Sequence, residues 1–253
     1  MFGTNWSRDE LIVAFNTYCK IPFAKIGSNN SAVKELAILI DRSASAVALK
    51  LVNFASLDPS LQQRHISGMG HVSKADIEIW KEFNDNWEEL AYQSELILAK
   101  FKKVPVEQSS LINTTDLPRE GKERESIVRI RVNQSFFRQM VLTSYDHRCC
   151  ITGMAVPGLL IASHIIPWVS DKSNRMNPCN GLCLNALHDS AFDQGLITIT
   201  AEYRLKLSTA LKVVNASNLL FFIPFEGKQI YLPQRFRPSS EAVAYHNKYV
   251  FIK

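Results

Sequence analysis

The chain has 253 residues, 46% of them hydrophobic, and a formal net charge of +5. This composition excludes an intrinsically disordered protein, and no apolar run reaches the roughly 18 residues that cross a bilayer. Basic and acidic residues balance at twelve each in residues 1–103, whereas residues 104–253 contain 17 basic and 12 acidic residues. The excess positive charge suits a polyanionic ligand. The first ten residues, MFGTNWSRDE, lack the pattern of a signal peptide, so we expect a cytoplasmic protein.

Three helices are predicted near the start of the chain. The first covers residues 6–19, where apolar residues have helical spacing and Ser7 with Glu10 forms a capping box. The second covers residues 31–40, and the third runs from a cap at Ser43 or Ser45 to Phe54. A short turn joins the last two helices, which is typical of a helix-turn-helix.

This helix-turn-helix pattern has two interpretations. If the region binds DNA, its second helix presents Ser45, Lys50 and Asn53 to the groove, and Arg42 lies near a phosphate. In the alternative, the helices form a plain bundle with no DNA contact. The neutral charge balance of residues 1–103 favours the bundle, because DNA binding depends on neutralising phosphates.

The middle of the chain predicts a domain boundary. Residues 74–103 have apolar residues at intervals of three and four, which predicts one long amphipathic helix. Residues 104–125 are polar, contain two prolines and a glycine, and are predicted to be a linker. We therefore expect a helical domain over residues 1–103 and a second domain over residues 126–253. A helix over residues 133–145 is expected at the start of that second domain.

The second domain is predicted to have an α+β fold, with short strands over residues 159–163 and 196–200. His164 follows the first of these strands. Asn180 lies sixteen residues later at a tight turn, and His188 lies eight residues beyond that, in a helix that Asn185 can cap. Phosphodiester hydrolysis needs a base for water, and neutral imidazole, with an unperturbed pKa of about 6.5, suits this task near neutral pH.

Acidic residues accompany the histidine in this helix. Asp189 and Asp193 are four residues apart and share one helix face, and His188 lies next to that face. Imidazole and carboxylate groups together can hold Mg²⁺ or Mn²⁺, or a transition metal. For the helix taken alone, the alternative is a solvated acidic face.

Four cysteines lie near these residues. Cys149 and Cys150 are adjacent, and Cys179 and Cys183 are separated by three residues. A structural zinc ion takes four ligands in tetrahedral positions, usually from closely spaced CxxC pairs. Neither pair has that spacing, so the pattern disfavours structural zinc and favours small buried apolar side chains.

Four ordered motifs in this region, RCCITG, ASHIIPW, NPCNGLCL and LHDSAFDQGLITI, resemble the HNH (ββα-metal) endonucleases, in particular a subgroup of predicted restriction endonucleases. The resemblance covers about residues 130–200 and implies a C-terminal ββα-metal domain after the helical, helix-turn-helix-like domain. It implies that His164 is the general base and that Asn180 fixes the site loop. It also implies that His188 is a metal ligand or a phosphate contact. Together with the acids of the same helix, the expected metal ligands are His188, Asp189 and Asp193.

The departure is Ser163, which stands where many members of the family have a metal-binding Asp or His before the base. It shifts the expected metal binding to the helix that contains His188.

The resemblance implies a DNA endonuclease of a restriction or defence system, with Mg²⁺ or Mn²⁺ as its cofactor and double-stranded DNA as its substrate. Cutting both strands suggests a homodimer. Ser163 also motivates an alternative, a DNA-binding regulator whose HNH fold is catalytically inactive. In a third hypothesis, residues 1–103 bind a protein partner.

Overall fold

The computed structural model describes residues 5–62, 72–212 and 220–253. The chain divides into two compact units, Met1–Met140 and Val141–Lys253. The helices of the first unit are α1 (Arg8–Cys19), α2 (Ser31–Leu39), α3 (Ala44–Leu57), α4 (Pro59–Gln62), α5 (Lys74–Phe83), α6 (Trp87–Lys102), α7 (Val106–Ser109) and α8 (Lys122–Ser144), whose last residues belong to the second unit. Within the described ranges, none of the helices combines the length and the apolar character needed to cross a bilayer.

The second unit mixes helices with two small antiparallel sheets. Its elements are β1 (Leu160–His164), β2 (Gly181–Asn185), α9 (Ala186–Asp193), β3 (Ile197–Ile199), β4 (Leu205–Leu207), α10 (Thr209–Lys212) and α11 (Ser240–Tyr249). Strand β1 pairs with β2 so that His164 is opposite Gly181, and β3 pairs with β4. Because β2 continues directly into α9, these two elements and β1 form a ββα unit.

Polar caps determine where the first three helices begin. Ser7 Oγ accepts a hydrogen bond from the Glu10 amide, and the Glu10 carboxylate accepts one from the Ser7 amide, so the predicted capping box is present. Asn30 caps α2 and Ser43 caps α3. Between these two helices, Asp41 turns the chain with a φ of 54°. The first three predicted helices therefore begin within about two residues of their expected positions.

The prediction of one long helix over residues 74–103 was wrong, since the structure has α5 and α6 there. Asp85 interrupts the helix with a φ of 73°. Short polar side chains such as Asp tolerate this left-handed conformation better than most others. The break allows residues on both helices to pack on one ring: Trp80 and Trp87 lie 5.2 and 6.5 Å from Phe15, measured between ring centroids.

Two of the residues predicted to contact DNA are buried inside the first unit. Lys50 Nζ lies 2.7 Å from Asp76 Oδ1, and Asn53 Nδ2 donates to Asp76 Oδ2 at 3.3 Å. The side chain of Lys50 is 8% exposed and that of Asp76 is 0% exposed. These residues therefore satisfy a buried carboxylate and are not available to a DNA groove, which corrects the prediction for Lys50 and Asn53.

Arg42 also has its partners within the protein. Its Nε lies 2.7 Å from Glu10 Oε1, and its guanidinium lies over the Trp6 ring, 4.4 Å from the centroid. This corrects the predicted phosphate contact of Arg42, because its guanidinium group is bound to the Glu10 carboxylate on α1. Of the four predicted DNA-binding residues, Ser45 is the one that is exposed.

The first unit extends beyond the predicted domain end at residue 103. Residues 104–125, predicted as a linker, contain α7 and the start of α8. Ser110 Oγ donates to Glu95 Oε2 at 3.2 Å, and Arg124 pairs with Glu107 at 2.8 Å. These contacts attach the segment to the helical core, so the boundary between the units lies within α8, whereas the sequence placed it at residues 104–125.

Replacing Lys50 by Met is expected to destabilise the protein by about 3–5 kcal/mol, because it leaves the Asp76 carboxylate buried without its cation. The measurement is urea unfolding followed by circular dichroism. Lys74→Met is the control, since Lys74 lies 3.9 Å from Glu78 with its side chain 92% exposed, and this variant should unfold like the wild type. Equal stability of the two variants would contradict an essential role for the buried pair.

Candidate active site

His164, the last residue of β1, is held by a main-chain contact. Its Nε2 lies 2.8 Å from the carbonyl oxygen of Arg175. A carbonyl can only accept a hydrogen bond, so the geometry assigns the hydrogen to Nε2 and the lone pair of the neutral ring to Nδ1. The Trp168 ring meets the imidazole edge-on, with centroids 5.4 Å apart. Both contacts fix the orientation of the ring.

The surroundings of His164 keep its imidazole neutral. Burial lowers its pKa below the usual value for histidine, whereas the Arg175 carbonyl and the Asp189 carboxylate oppose this effect only in part. At neutral pH the ring is therefore predominantly uncharged. This is the state in which an imidazole can take a proton from water.

Asn180 holds the chain that leaves β1. Its Oδ1 accepts a hydrogen bond from the Ile166 amide at 2.8 Å, and its Nδ2 donates to the Ile166 carbonyl at 3.2 Å. Its own carbonyl accepts from the Ile165 amide at 2.9 Å. The buried Asn180 side chain thus ties the start of β2 to the two residues that follow His164.

Asp189, on the first turn of α9, lies next to β1. Its pKa is raised by burial, and the Ser163 hydroxyl and His164 offset this effect in part. Ser163 Oγ is buried and has no well-aligned hydrogen-bond partner in the described part of the chain, but it is close enough to Asp189 to stabilise its charged form. Helix α9 therefore brings a carboxylate to the position beside Ser163 and His164.

Asp193 lies one turn further along α9 and is accessible to solvent. Its pKa is raised by partial desolvation and by the negative charge of Asp189. The two carboxylates therefore repel each other across one helix face. Such a pair has unbalanced negative charge, which a bound cation would relieve.

His188 does not share this carboxylate face. Its Nδ1 lies 3.0 Å from Asn185 Oδ1, and its ring packs edge-on against Phe222 and Phe225 at centroid distances of 5.2 and 5.9 Å. Burial lowers its pKa, with a smaller opposing effect from the Phe221 backbone. His188 therefore lies in an aromatic pocket.

The predicted metal set of His188, Asp189 and Asp193 is consequently not assembled. Successive residues of a helix point about 100° apart, so the side chains of residues 188 and 189 diverge. Over residues 5–62, 72–212 and 220–253, no three His, Cys, Asp or Glu side chains converge in a way that could hold a metal ion. The structure leaves the two α9 carboxylates as the acidic pair next to His164.

Main-chain hydrogen bonds hold the turn that carries the first two cysteines. The Cys149 amide donates to the Met154 carbonyl, and the Gly153 amide donates to the Cys149 carbonyl, both at 2.8 Å. The Cys150 amide donates to the Cys183 carbonyl at 2.8 Å, which joins the turn to β2. Burial raises the pKa of the Cys150 thiol well above its usual value, so it behaves as a small apolar group.

Two residues that contact His164, namely Trp168 and Arg175, were not predicted as site residues from the sequence. The Arg175 carbonyl binds His164, and the Arg175 guanidinium lies over the Trp168 ring, 4.8 Å from its centroid. These contacts form through a loop with no periodic pattern. The composition of that loop therefore offered no signal for them.

His246, on α11, supports the helix that carries the two acids. Its ring stacks on Phe192 with a centroid distance of 3.7 Å. Its Nε2 donates to the Phe192 carbonyl at 3.1 Å, and Thr198 Oγ1 donates to its Nδ1 at 2.8 Å. The neutral ring satisfies both contacts, and burial lowers its pKa to about 4.

A strand-end histidine, a buried asparagine and an acidic helix lie together on one ββα unit. Residues 149–200 match the family model described as HNH endonuclease, and this segment of the chain is an HNH endonuclease domain. The matched segment contains β1, β2 and α9. A search of the curated proteins finds no match to the chain.

Acid is expected to weaken the support that His246 gives to α9. The unfolded chain takes up a proton near the usual histidine pKa, while the folded protein does so only near pH 4. The contribution is therefore complete above about pH 6.5 and is lost as the pH falls toward 4, by up to about 3 kcal/mol. In thermal unfolding, the stability difference between wild type and His246→Gln should shrink over this range. A difference that stays constant would contradict the assignment.

Proposed function

We propose that this protein is a metal-dependent DNA endonuclease of a bacterial restriction or defence system that hydrolyses phosphodiester bonds. One observation carries the proposal: His164 is held neutral and oriented by the Arg175 carbonyl, next to the Asp189 carboxylate. The match of the surrounding segment to the HNH endonucleases supports the reaction class. The excess of basic residues after residue 103 supports a nucleic-acid substrate.

His164 is the general base in this proposal. Its Nδ1 takes a proton as the water oxygen bonds to phosphorus, and the bond from phosphorus to the leaving oxygen breaks with its electron pair on that oxygen. The nearby Asp189 carboxylate favours the imidazolium that forms, because it raises the pKa of His164. Asn180 keeps the base at the strand end during this change of charge.

The residues of α9 fit a Mg²⁺ or Mn²⁺ ion. Mg²⁺ commonly uses one or two carboxylates and keeps several waters, so Asp189 and Asp193 are sufficient protein ligands. Desolvation and the negative charge of Asp189 both raise the pKa of Asp193, and a cation would relieve the repulsion between the two carboxylates. When bound, the metal supplies charge stabilisation for the phosphate oxygens and the leaving group. In this chain the carboxylate beside Ser163 comes from α9, which favours an active enzyme over an inactive regulator.

His164→Ala is expected to lower cleavage of supercoiled plasmid by about 10²–10⁴-fold, since it removes the base. The assay measures nicked and linear product with Mg²⁺, with Mn²⁺ and with a chelator, and circular dichroism verifies the fold. His147→Asn is the matched control, because His147 is exposed on a turn and its φ of 53° is one that Asn also tolerates.

Cleavage by His164→Ala at the wild-type rate would refute the assigned base. If the wild type binds DNA in a salt-dependent way but cuts with none of the metals, the inactive-regulator hypothesis replaces the enzyme. A linear product whose share rises with protein concentration would support the proposed homodimer, since each HNH site cuts one strand.

Asp189→Asn should move the acid limb of the kcat/KM profile to lower pH. Asp189 raises the pKa of His164, so its removal lets the base stay neutral to more acidic pH. The profile is measured at saturating metal, so that weaker metal binding does not obscure the shift. Asp193→Asn is the comparison variant and should move the limb less, because Asp193 lies one turn away. If the acid limb of the Asp189→Asn profile stays at the wild-type pH, Asp189 does not influence the pKa of His164.

A further inference from the structure

We propose that Arg175 is the phosphate-binding cation of this site and that the Trp168 ring presents it to the substrate. This inference rests on the proposed nuclease function and assigns a second substrate-facing residue beside the base. The ligand it would take is a phosphodiester, bound through its non-bridging oxygens.

The first step is the position of the Arg175 backbone. Its carbonyl accepts the hydrogen bond from His164 Nε2 at 2.8 Å, so its Cα lies within a few ångströms of the base. An arginine side chain reaches roughly 6–7 Å from its Cα, so phosphate bound at the base is within reach of the guanidinium. The same residue thereby orients the base through its backbone and can reach the substrate through its side chain.

The second step is the direction of the side chain. The guanidinium lies 4.8 Å from the centroid of the Trp168 ring, and that ring meets His164 edge-on at 5.4 Å. His164, Trp168 and Arg175 thus form one continuous wall. A guanidinium stacked on indole keeps its N–H groups at the edge of the stack, where they can bind two oxygens of one phosphate.

The third step is the rigidity of the loop that carries this wall. Asp171 Oδ1 accepts hydrogen bonds from the Ser173 amide, the Ser173 hydroxyl and the Asn174 amide at 3.0, 2.7 and 3.1 Å. Asp171 Oδ2 accepts from Asn174 Nδ2 at 2.7 Å. A loop tied by four such bonds holds Arg175 in place before substrate arrives, which lowers the entropy lost on binding.

The fourth step is the balance of charge around His164. Asp189, on the first turn of α9 beside β1, contributes negative charge next to the ring. A phosphodiester brings another negative charge to this place. A cation on the Trp168 wall compensates that charge, in addition to any metal held by α9, and stabilises the further charge that develops during hydrolysis.

The experiment compares wild type with Arg175→Ala, Arg175→Lys and Trp168→Leu in the plasmid assay. We expect Arg175→Ala to lower kcat by about 10²-fold, as loss of one charge-stabilising donor does, and Arg175→Lys to restore only part of it because ammonium lacks the fork. Trp168→Leu should lower kcat with Arg175 still present. Lys172→Ala is the control. It removes a positive charge from an exposed residue of the same loop and leaves the Arg175 guanidinium over the Trp168 ring, so it should keep the wild-type kcat.

A further readout separates substrate contact from a structural role. Guanidinium ion, added well below denaturing concentration, should restore part of the activity of Arg175→Ala and none of that of His164→Ala. A structural defect would not respond to guanidinium.

DNA binding tests the contact without cleavage. In the His164→Ala background, Arg175→Ala should make the plot of log binding constant against log salt concentration shallower by about 0.9, the value for one phosphate contact. If the wild type cuts but Arg175→Ala keeps kcat and this slope, Arg175 does not bind phosphate and the nuclease function stands. If the wild type never cuts but the slope changes as stated, the phosphate contact stands and the nuclease function fails. If the wild type does not bind duplex DNA, both fail.

Discussion

The arrangement around His164 depends on its hydrogen bond to the Arg175 carbonyl, because this bond determines which nitrogen of the ring can take a proton. The Arg175 carbonyl can accept this bond only because the loop after β1 folds back to the end of that strand. Hydrogen bonds of the Asn180 and Asp171 side chains hold the loop in this conformation. Burial of the imidazole then lowers its pKa. The strand end, the loop and the burial of the ring therefore act together to keep the His164 imidazole neutral and oriented.

The acidic helix depends on a second layer beneath it. The His246 ring stacks on Phe192 and accepts a hydrogen bond from the Thr198 hydroxyl. The turn after α9 packs against the C-terminal residues. Gly195 has a φ of 69°, and a Cβ there would lie 2.1 Å from the Val250 carbonyl oxygen. The Ile252 amide donates to the Gly195 carbonyl at 2.9 Å. The C-terminal residues thus hold the end of the helix that places Asp189 and Asp193, and glycine is required where the two segments meet.

The first unit shows why a helix-turn-helix pattern is weak evidence for DNA binding. Lys50 lies on α3, the helix that would enter a groove, and Arg42 lies in the turn before it, yet Lys50 neutralises Asp76 and Arg42 neutralises Glu10. Both acids come from other helices, so only packing reveals that the charges are internal. The neutral balance of residues 1–103 agrees with this arrangement, since the charges pair with one another.

Local signals in the sequence determined much of the framework: the caps at Ser7, Ser43 and Asn185, the strand that ends at His164, and the order of His164, Asn180 and the α9 acids. These features depend on neighbours within a few residues. Tertiary structure alone decided that His188 packs against Phe222 and Phe225, that α5 and α6 are separate helices, and that Trp168 and Arg175 contact His164. Each of these depends on which side of an element faces the core or on partners brought together across a loop. The spacing of residues along the chain shows which side chains share a face of a helix or strand. It does not show which of those faces is turned toward the core.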